Sequence, residues 1–247
     1  MSAPDRPADE QTFDRQTVDR ARAIVARYPV ARSALLPMLH LVQSVQGHVS
    51  QAGIEFCANQ LGLTTAEVTA VTTFYTMYKR TPCGEHLVSV CTNTLCAMLG
   101  GDAIYAALRT ELGSGDAPLG NEQTAGEPGE AGSLTLEHAE CLAACDLAPV
   151  LQVNYEFYDN QTPESAVELV RELRAGHKPD PTRGASLTGF REVSLQLAGF
   201  FSRPGDAAGN SASPETLRGN TLAAEHGWTA PSMPEHAVIG PRPEQQS

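Results

Sequence analysis

The sequence predicts an α+β protein: an N-terminal helical bundle over residues 13–82, a small α/β domain over 83–177, and a largely irregular C-terminal extension over 178–247. Three observations carry that reading. Before residue 79 apolar side chains recur at helical spacing, as in Leu35, Leu39 and Val42. From Thr81 onward the period drops to two, at Val88 and Val90 and again at Leu134 and Leu136, with a helix-spaced run between them. Beyond Lys178 proline punctuates a chain that mostly lacks any period.

Residues 1–12 are polar and predict a disordered leader; with no apolar signal core they argue against export. A first helix is expected over Phe13–Tyr28, closed by Pro29, and a second over Ala31–Gln46, stopped by Gly47. Ser50 caps a third, through Leu61, whose apolar face takes Cys57 into the core. Thr64-Thr65-Ala66-Glu67 is a capping box opening a fourth helix, with Val68, Val71, Thr72 and Tyr75 on one face. Phe74, Tyr75 and Tyr78 are expected to pack in the core or between domains rather than stack a flavin or base.

The α/β domain then reads strand (His86–Cys91), helix (Ile104, Leu108 and Leu112 on one side, beginning at Gly100-Gly101), exposed Gly/Glu/Pro-rich loop (113–132), and strand (Leu134, Leu136). Two short strands, Val150–Val153 and Tyr155–Tyr158, meet near Asn154; Thr162 caps a last helix with Pro163 at its first position and Gly176 past its end. In the extension, the apolar side chains of Leu187–Phe201 are expected to lie against a partner or the domain, and the rest to be disordered until bound.

The formal net charge of −12 argues against nucleic acid or an anionic membrane surface as partner. No apolar run approaches the ~18 residues of a membrane span, so direct membrane insertion is not expected. Six cysteines without an export signal are read as reduced thiols or metal ligands in a cytosolic protein.

Four of the six form two pairs, Cys91 with Cys96 and Cys141 with Cys145, each just past a strand. Four thiolates drawn together suit an iron–sulfur cluster or zinc. Structural zinc sites favour a two-residue gap, and here the gaps are four and three. A dithiol enzyme needs Cys-x-x-Cys, and a Rieske centre needs histidine ligands in Cys-x-His units; neither is present. What remains is a binuclear cluster on four thiolates, with Thr92, Thr94, Ala97, Ala143 and Ala144 small enough for backbone N–H groups to approach sulfur, and Pro149 stiffening the exit of the second loop. Cys83, in a turn with no partner at ligand spacing, is expected to be a bystander.

Cys-x4-Cys followed by Cys-x3-Cys-Asp-x-Ala-Pro resembles the thioredoxin-like 2Fe-2S ferredoxin subunits of respiratory NADH–quinone oxidoreductase, complex I. Ala34-Leu-Leu-Pro-Met-Leu-His-Leu-Val-Gln with Gly47, and Val71-Thr-Thr-Phe-Tyr-Thr-Met-Tyr, are similar to the helical domain of that family. The resemblance covers about residues 14–177 and leaves out the loop at 113–132. It implies a thioredoxin-like α/β ferredoxin domain holding one 2Fe-2S cluster on Cys91, Cys96, Cys141 and Cys145. It implies pairing with a flavoprotein subunit that binds FMN and NADH, and with other hydrophilic-arm subunits. The cluster would exchange single electrons with that FMN, off the main wire to quinone. The place it implies is peripheral, on the cytoplasmic face of the bacterial inner membrane through the complex. The same module in the diaphorase part of an NAD-linked hydrogenase or formate dehydrogenase would look alike. No Gly-x-Gly-x-x-Gly turn is present, which assigns hydride chemistry to the partner.

Overall fold

The computed structural model describes residues 13–201 and 214–230. The expected leader over 1–12 and the stretches 202–213 and 231–247 of the extension lie outside the described residues.

The helical part begins at α1 (Arg15–Val25), where the Asp14 carboxylate accepts from the Thr17 backbone N–H at 2.8 Å. Its buried residues, Thr17, Val18, Ala21 and Ile24, form one stripe. The second helix starts tighter than its sequence suggests: Ala31–Ala34 is a 3-10 turn without a side-chain cap, and α2 proper is Leu35–Gln46. Pro37 falls in the first turn of α2, where its missing N–H costs no intrahelical bond. Gly47, at φ 74°, ends α2 in the left-handed conformation. Ser50 caps α3 (Gln51–Leu61) by accepting from Gly53 N–H at 3.1 Å. Thr64 and Glu67 form the expected capping box at the head of α4 (Thr65–Phe74). Phe13 and Phe56, with ring centroids 4.4 Å apart, close a core that also takes in Met38, Leu39 and Cys57.

The second part is a five-stranded sheet in the order β2-β3-β1-β4-β5. Its strands are β1 (His86–Cys91), β2 (Gln123–Ala125), β3 (Leu134–Ala139), β4 (Leu151–Val153) and β5 (Glu156–Tyr158). β1 and β3 run parallel and the other pairs antiparallel. One face, with Val88, Val90, Leu134, Leu136, Leu151 and Val153, is buried under α6 (Gly101–Leu112) and α7 (Pro163–Arg174). A short helix, α5 (Thr94–Met98), precedes α6. β4 turns into β5 through Asn154 and Tyr155, whose φ values of 48° and 72° are the two-residue hairpin geometry.

Two expectations need correction. The stretch 113–132 is not all loop: β2 forms within it and covers the edge of β3, with the Thr124 and Thr135 hydroxyls 2.7 Å apart. The aromatic trio does not share one fate. Tyr78 is buried and donates to the Leu36 carbonyl, but Phe74 is 77% and Tyr75 42% exposed, because α4 ends at Phe74 and the chain turns away from the core.

The apolar segment of the extension packs on its own domain. Its α8 (Phe190–Leu197) lies along α2, and Phe190 is buried with Cys83 and Leu87. Asn154 holds the approach to it, donating to the carbonyls of Glu85 at 3.2 Å and Thr188 at 2.7 Å while accepting from Leu87 N–H. Gln43 of α2 donates to the Ser194 hydroxyl, and Arg27 to the carbonyls of Ala198 and Gly199. A last helix, α9 (Pro214–Glu225), belongs to a second compact unit and buries no side chain. Among the described residues no helix is long and apolar enough to cross a membrane.

Candidate metal centre

Because β1 and β3 are parallel neighbours with Cys91 opposite Ala139, their C-terminal ends finish side by side. Each strand releases one cysteine loop there. Cys91 is the last residue of β1, Cys96 lies on α5, Cys141 follows β3, and Cys145 opens a 3-10 turn, Cys145–Leu147. The loops are cross-tied: Thr92 N–H donates to Ala139 O at 3.1 Å, and Asn93 Nδ2 to Glu140 Oε2 at 3.0 Å. Cys91 N–H donates to Val150 O at 3.2 Å, which binds the first loop to the exit of the second.

The sulfurs converge. Cys141 and Cys145 Sγ stand 3.5 Å apart. Thiolates sharing one tetrahedral metal at ~2.3 Å stand roughly 3.7 Å apart, so this pair is spaced for a common ion. Burial pushes the Cys96 thiol up to about 11; the Val150 amide N–H at its sulfur favours the thiolate, and the Cys91 and Cys145 sulfurs oppose it. The Cys145 thiol is raised first by its hydrogen bond to Cys141 and by that neighbour's charge, with burial, Cys91 and Asp146 adding. A bound cation would relieve the raised Cys96 and Cys145 thiols, and the N–H directed at Cys96 is the kind of donor an anionic sulfur set needs. All four are free of disulfides. Around them Ala144 and Val150 are buried, with Leu142, Leu147, Ala148 and Phe157 packed alongside. The residues present fit a cluster that takes two thiolates on each of two irons. Among the described residues no three metal-binding side chains gather on one point, and two pairs do not require it.

Backbone conformation shapes both loops. Ala143 sits at φ 57°, left-handed for a residue with a side chain, and so turns the second loop between its two sulfurs. Ala148-Pro149 is cis at the loop's exit. Gly101 lets α6 start against the first loop: a Cβ there would lie 2.5 Å from Cys91 O and 2.9 Å from Cys96 O. Gly100-Gly101 marks more than a helix start: a glycine pair just past a ligand-spaced cysteine is the sequence signal for this close approach. Cys57 and Cys83 stand apart, each buried, with desolvation raising both thiols, Cys83 to about 12.

Residues 21–174 match the family described as thioredoxin-like 2Fe-2S ferredoxin. The chain is 53% identical over 212 residues to a NADH-quinone oxidoreductase subunit of Mycobacterium tuberculosis, covering 85% of this chain and 80% of that one. It is 33% identical over 159 residues to the mitochondrial NADH dehydrogenase (ubiquinone) flavoprotein 2 of Dictyostelium discoideum, covering 63% and 60%. A chain of a solved NAD+-reducing NiFe hydrogenase in the H2-reduced state superposes with a TM-score of 0.48 and 17% identity, over 57% of this chain and 22% of that one.

Proposed function

The chain belongs to the thioredoxin-like 2Fe-2S ferredoxin family, and from that premise we propose that it is the electron-transfer subunit of an NADH–quinone oxidoreductase. In this reading one 2Fe-2S cluster sits on Cys91, Cys96, Cys141 and Cys145 and exchanges single electrons with the FMN of a partner flavoprotein subunit. The observation that carries the reading is the pair of cysteine loops at the ends of parallel neighbours β1 and β3, with Cys141 and Cys145 sulfurs 3.5 Å apart. The relatives, one named as a subunit of NADH-quinone oxidoreductase and one as a NADH dehydrogenase flavoprotein, support the oxidoreductase assignment, and the first supports a multi-subunit setting.

When bound, the cluster supplies one-electron redox chemistry at sulfur-ligated iron. The chain's own residues do the rest. Cys91 and Cys96 hold from the interior and Cys141 and Cys145 from the surface. Val150 N–H faces the Cys96 sulfur, and the apolar side chains of Leu142, Leu147 and Phe157 limit water beside the loops. NADH and FMN are assigned to the partner. The helical domain over 13–82 and the cluster domain over 83–177 are proposed as the working division, each with its own hydrophobic core. We place the subunit peripherally, on the cytoplasmic face of the bacterial inner membrane through its complex, with no nucleic-acid partner.

The test is anaerobic reconstitution with iron and sulfide, EPR after dithionite reduction, and iron and zinc counts on the same sample. The expected result is a rhombic one-electron signal with about two irons per chain. Stoichiometric zinc and no signal, found also in protein from its native host, would overturn the proposal.

A further inference from the structure

The sheet face that α6 and α7 leave uncovered carries a charged group that cluster ligation does not use. Lys79, in the connection between α4 and the sheet, is 5% exposed. Its ammonium meets the Glu137 carboxylate of β3, itself nearly buried, and stands 3.8 Å from the exposed Glu122. Glu137 Oε1 accepts from Ser89 Oγ at 2.6 Å. The Lys79 backbone is fixed by the helical part: its N–H donates to Gln43 Oε1 at 2.8 Å and its carbonyl accepts from Val49 N–H at 2.7 Å. Taking two ions out of water is costly, and well-packed apolar residues of the same volume serve stability as well or better, so stability alone does not account for the pair.

Strand register sets the pair beside the sulfurs. Ser89 lies opposite Glu137 and Cys91 opposite Ala139, so Glu137 is one same-face step along the strands, about 7 Å, from the Cys91 row, and carries the Lys79 ammonium on its carboxylate. A cleft of about 450 Å³ is lined by Ser89, Glu122 and Glu137 and also by Cys141. Cys83 and Tyr155 also feel Glu137, but burial raises both, so they stay neutral and add no competing charge.

We propose that Lys79 and Glu137 tune the reduction potential of the cluster assigned above, Lys79 raising it and Glu137 lowering it. The inference rests on the four-cysteine reading. One-electron reduction adds a negative charge to the cluster. A fixed anion one step away along the strands opposes that charge, the cation held on it favours the charge, and burial weakens the screening of both. As a pair they nearly cancel; each alone does not.

The experiment is an EPR-monitored redox titration of the reconstituted full chain and its variants, with iron counted on each. Lys79→Met should lower the midpoint and Glu137→Gln raise it, each by about tenfold in the reduction equilibrium, or about 59 mV for one electron. The double variant should return close to wild type. Glu122→Gln, at a more exposed site, should move the midpoint upward by less, and it keeps the test open if a buried single variant fails to hold iron. Midpoints unchanged across iron-loaded variants, or both buried single variants moving in the same direction as a loosened site would, overturn the inference. A wild-type chain that holds no cluster overturns the four-cysteine reading itself and is told apart by its iron count.

Discussion

The two cysteine loops reach one place by different means. Cys91 and Cys96 are 1% and 2% exposed, set between β1, α5 and the start of α6, so packing places their sulfurs. Cys141 and Cys145 are exposed, and their loop is set by the left-handed turn at Ala143 and by its ties to the first loop. One half of the candidate centre is therefore sensitive to volume and the other to backbone dihedrals. The surface half is also the one a docking protein could approach without unfolding anything.

Removing a sulfur is the harshest way to test whether the halves act as one site. Serine at Cys91, Cys96, Cys141 or Cys145 should abolish or sharply reduce bound iron, whichever half is touched. Cys57→Ser should keep iron while costing about 1–3 kcal/mol for the buried hydroxyl, and Cys83→Ser should also keep it. Iron and sulfide analysis of the six variants decides; loss of iron from Cys83→Ser would refute the ligand assignment.

Acid should loosen the structure away from both loops. His40, in the helical core against Tyr78, has its pKa pushed down to about 4 by burial, and its Nδ1 has no hydrogen-bond partner. An unfolded chain takes up this proton near 6.5 and the native chain only near 4. Stability should therefore fall as pH drops through that window, by up to about 3 kcal/mol. His86, lowered mainly by burial, acts in the same direction. Urea unfolding at pH 7, 5.5 and 4.5 should show the loss, and His40→Leu should flatten it.

Gly101→Ala probes the packed half directly. Its methyl would meet the Cys91 and Cys96 carbonyls at 2.5 and 2.9 Å, and such overpacking costs roughly 1–3 kcal/mol. A lowered Tm with weakened iron retention is expected; an unchanged Tm would show that α6 shifts freely. The mildest change tests the other half. Ala143→Gly relieves a left-handed alanine but loosens the unfolded chain, so stability should move by less than about 1 kcal/mol with iron retained. Urea midpoints and iron counts compare the two.

Much of this was legible because it is local. The cysteine gaps, the caps at Ser50, Thr64 and Thr162, and the stops at Gly47 and Gly176 are short-range chemistry, and each appears where the sequence implies. β2 was not legible: three residues in a Gly-rich stretch have too little pattern, and only the open edge of β3 makes them a strand. The Lys79–Glu137 pair joins residues 58 apart, and no spacing rule reaches that far. The exposure of Phe74 follows from where α4 stops, not from its composition. The apolar spacing of Leu187–Phe201 announced a buried segment, but not that α2 would be its seat.

That seat has a consequence for synthesis. The bonds from Gln43 to Ser194 and from Arg27 to Ala198 span 151 and 171 residues of chain. A nascent chain emerging N-terminus first has delivered most of both hydrophobic cores and all four paired cysteines before α8 leaves the ribosome. α8 is then the last helix of its compact unit to arrive. Until it does, Phe190's place beside Cys83 and Leu87 stands open, and the newborn protein is exposed to adhesion there. A chain stopped before Leu187 should keep that vulnerability for good, and should show faster hydrogen exchange along α2 than the full chain.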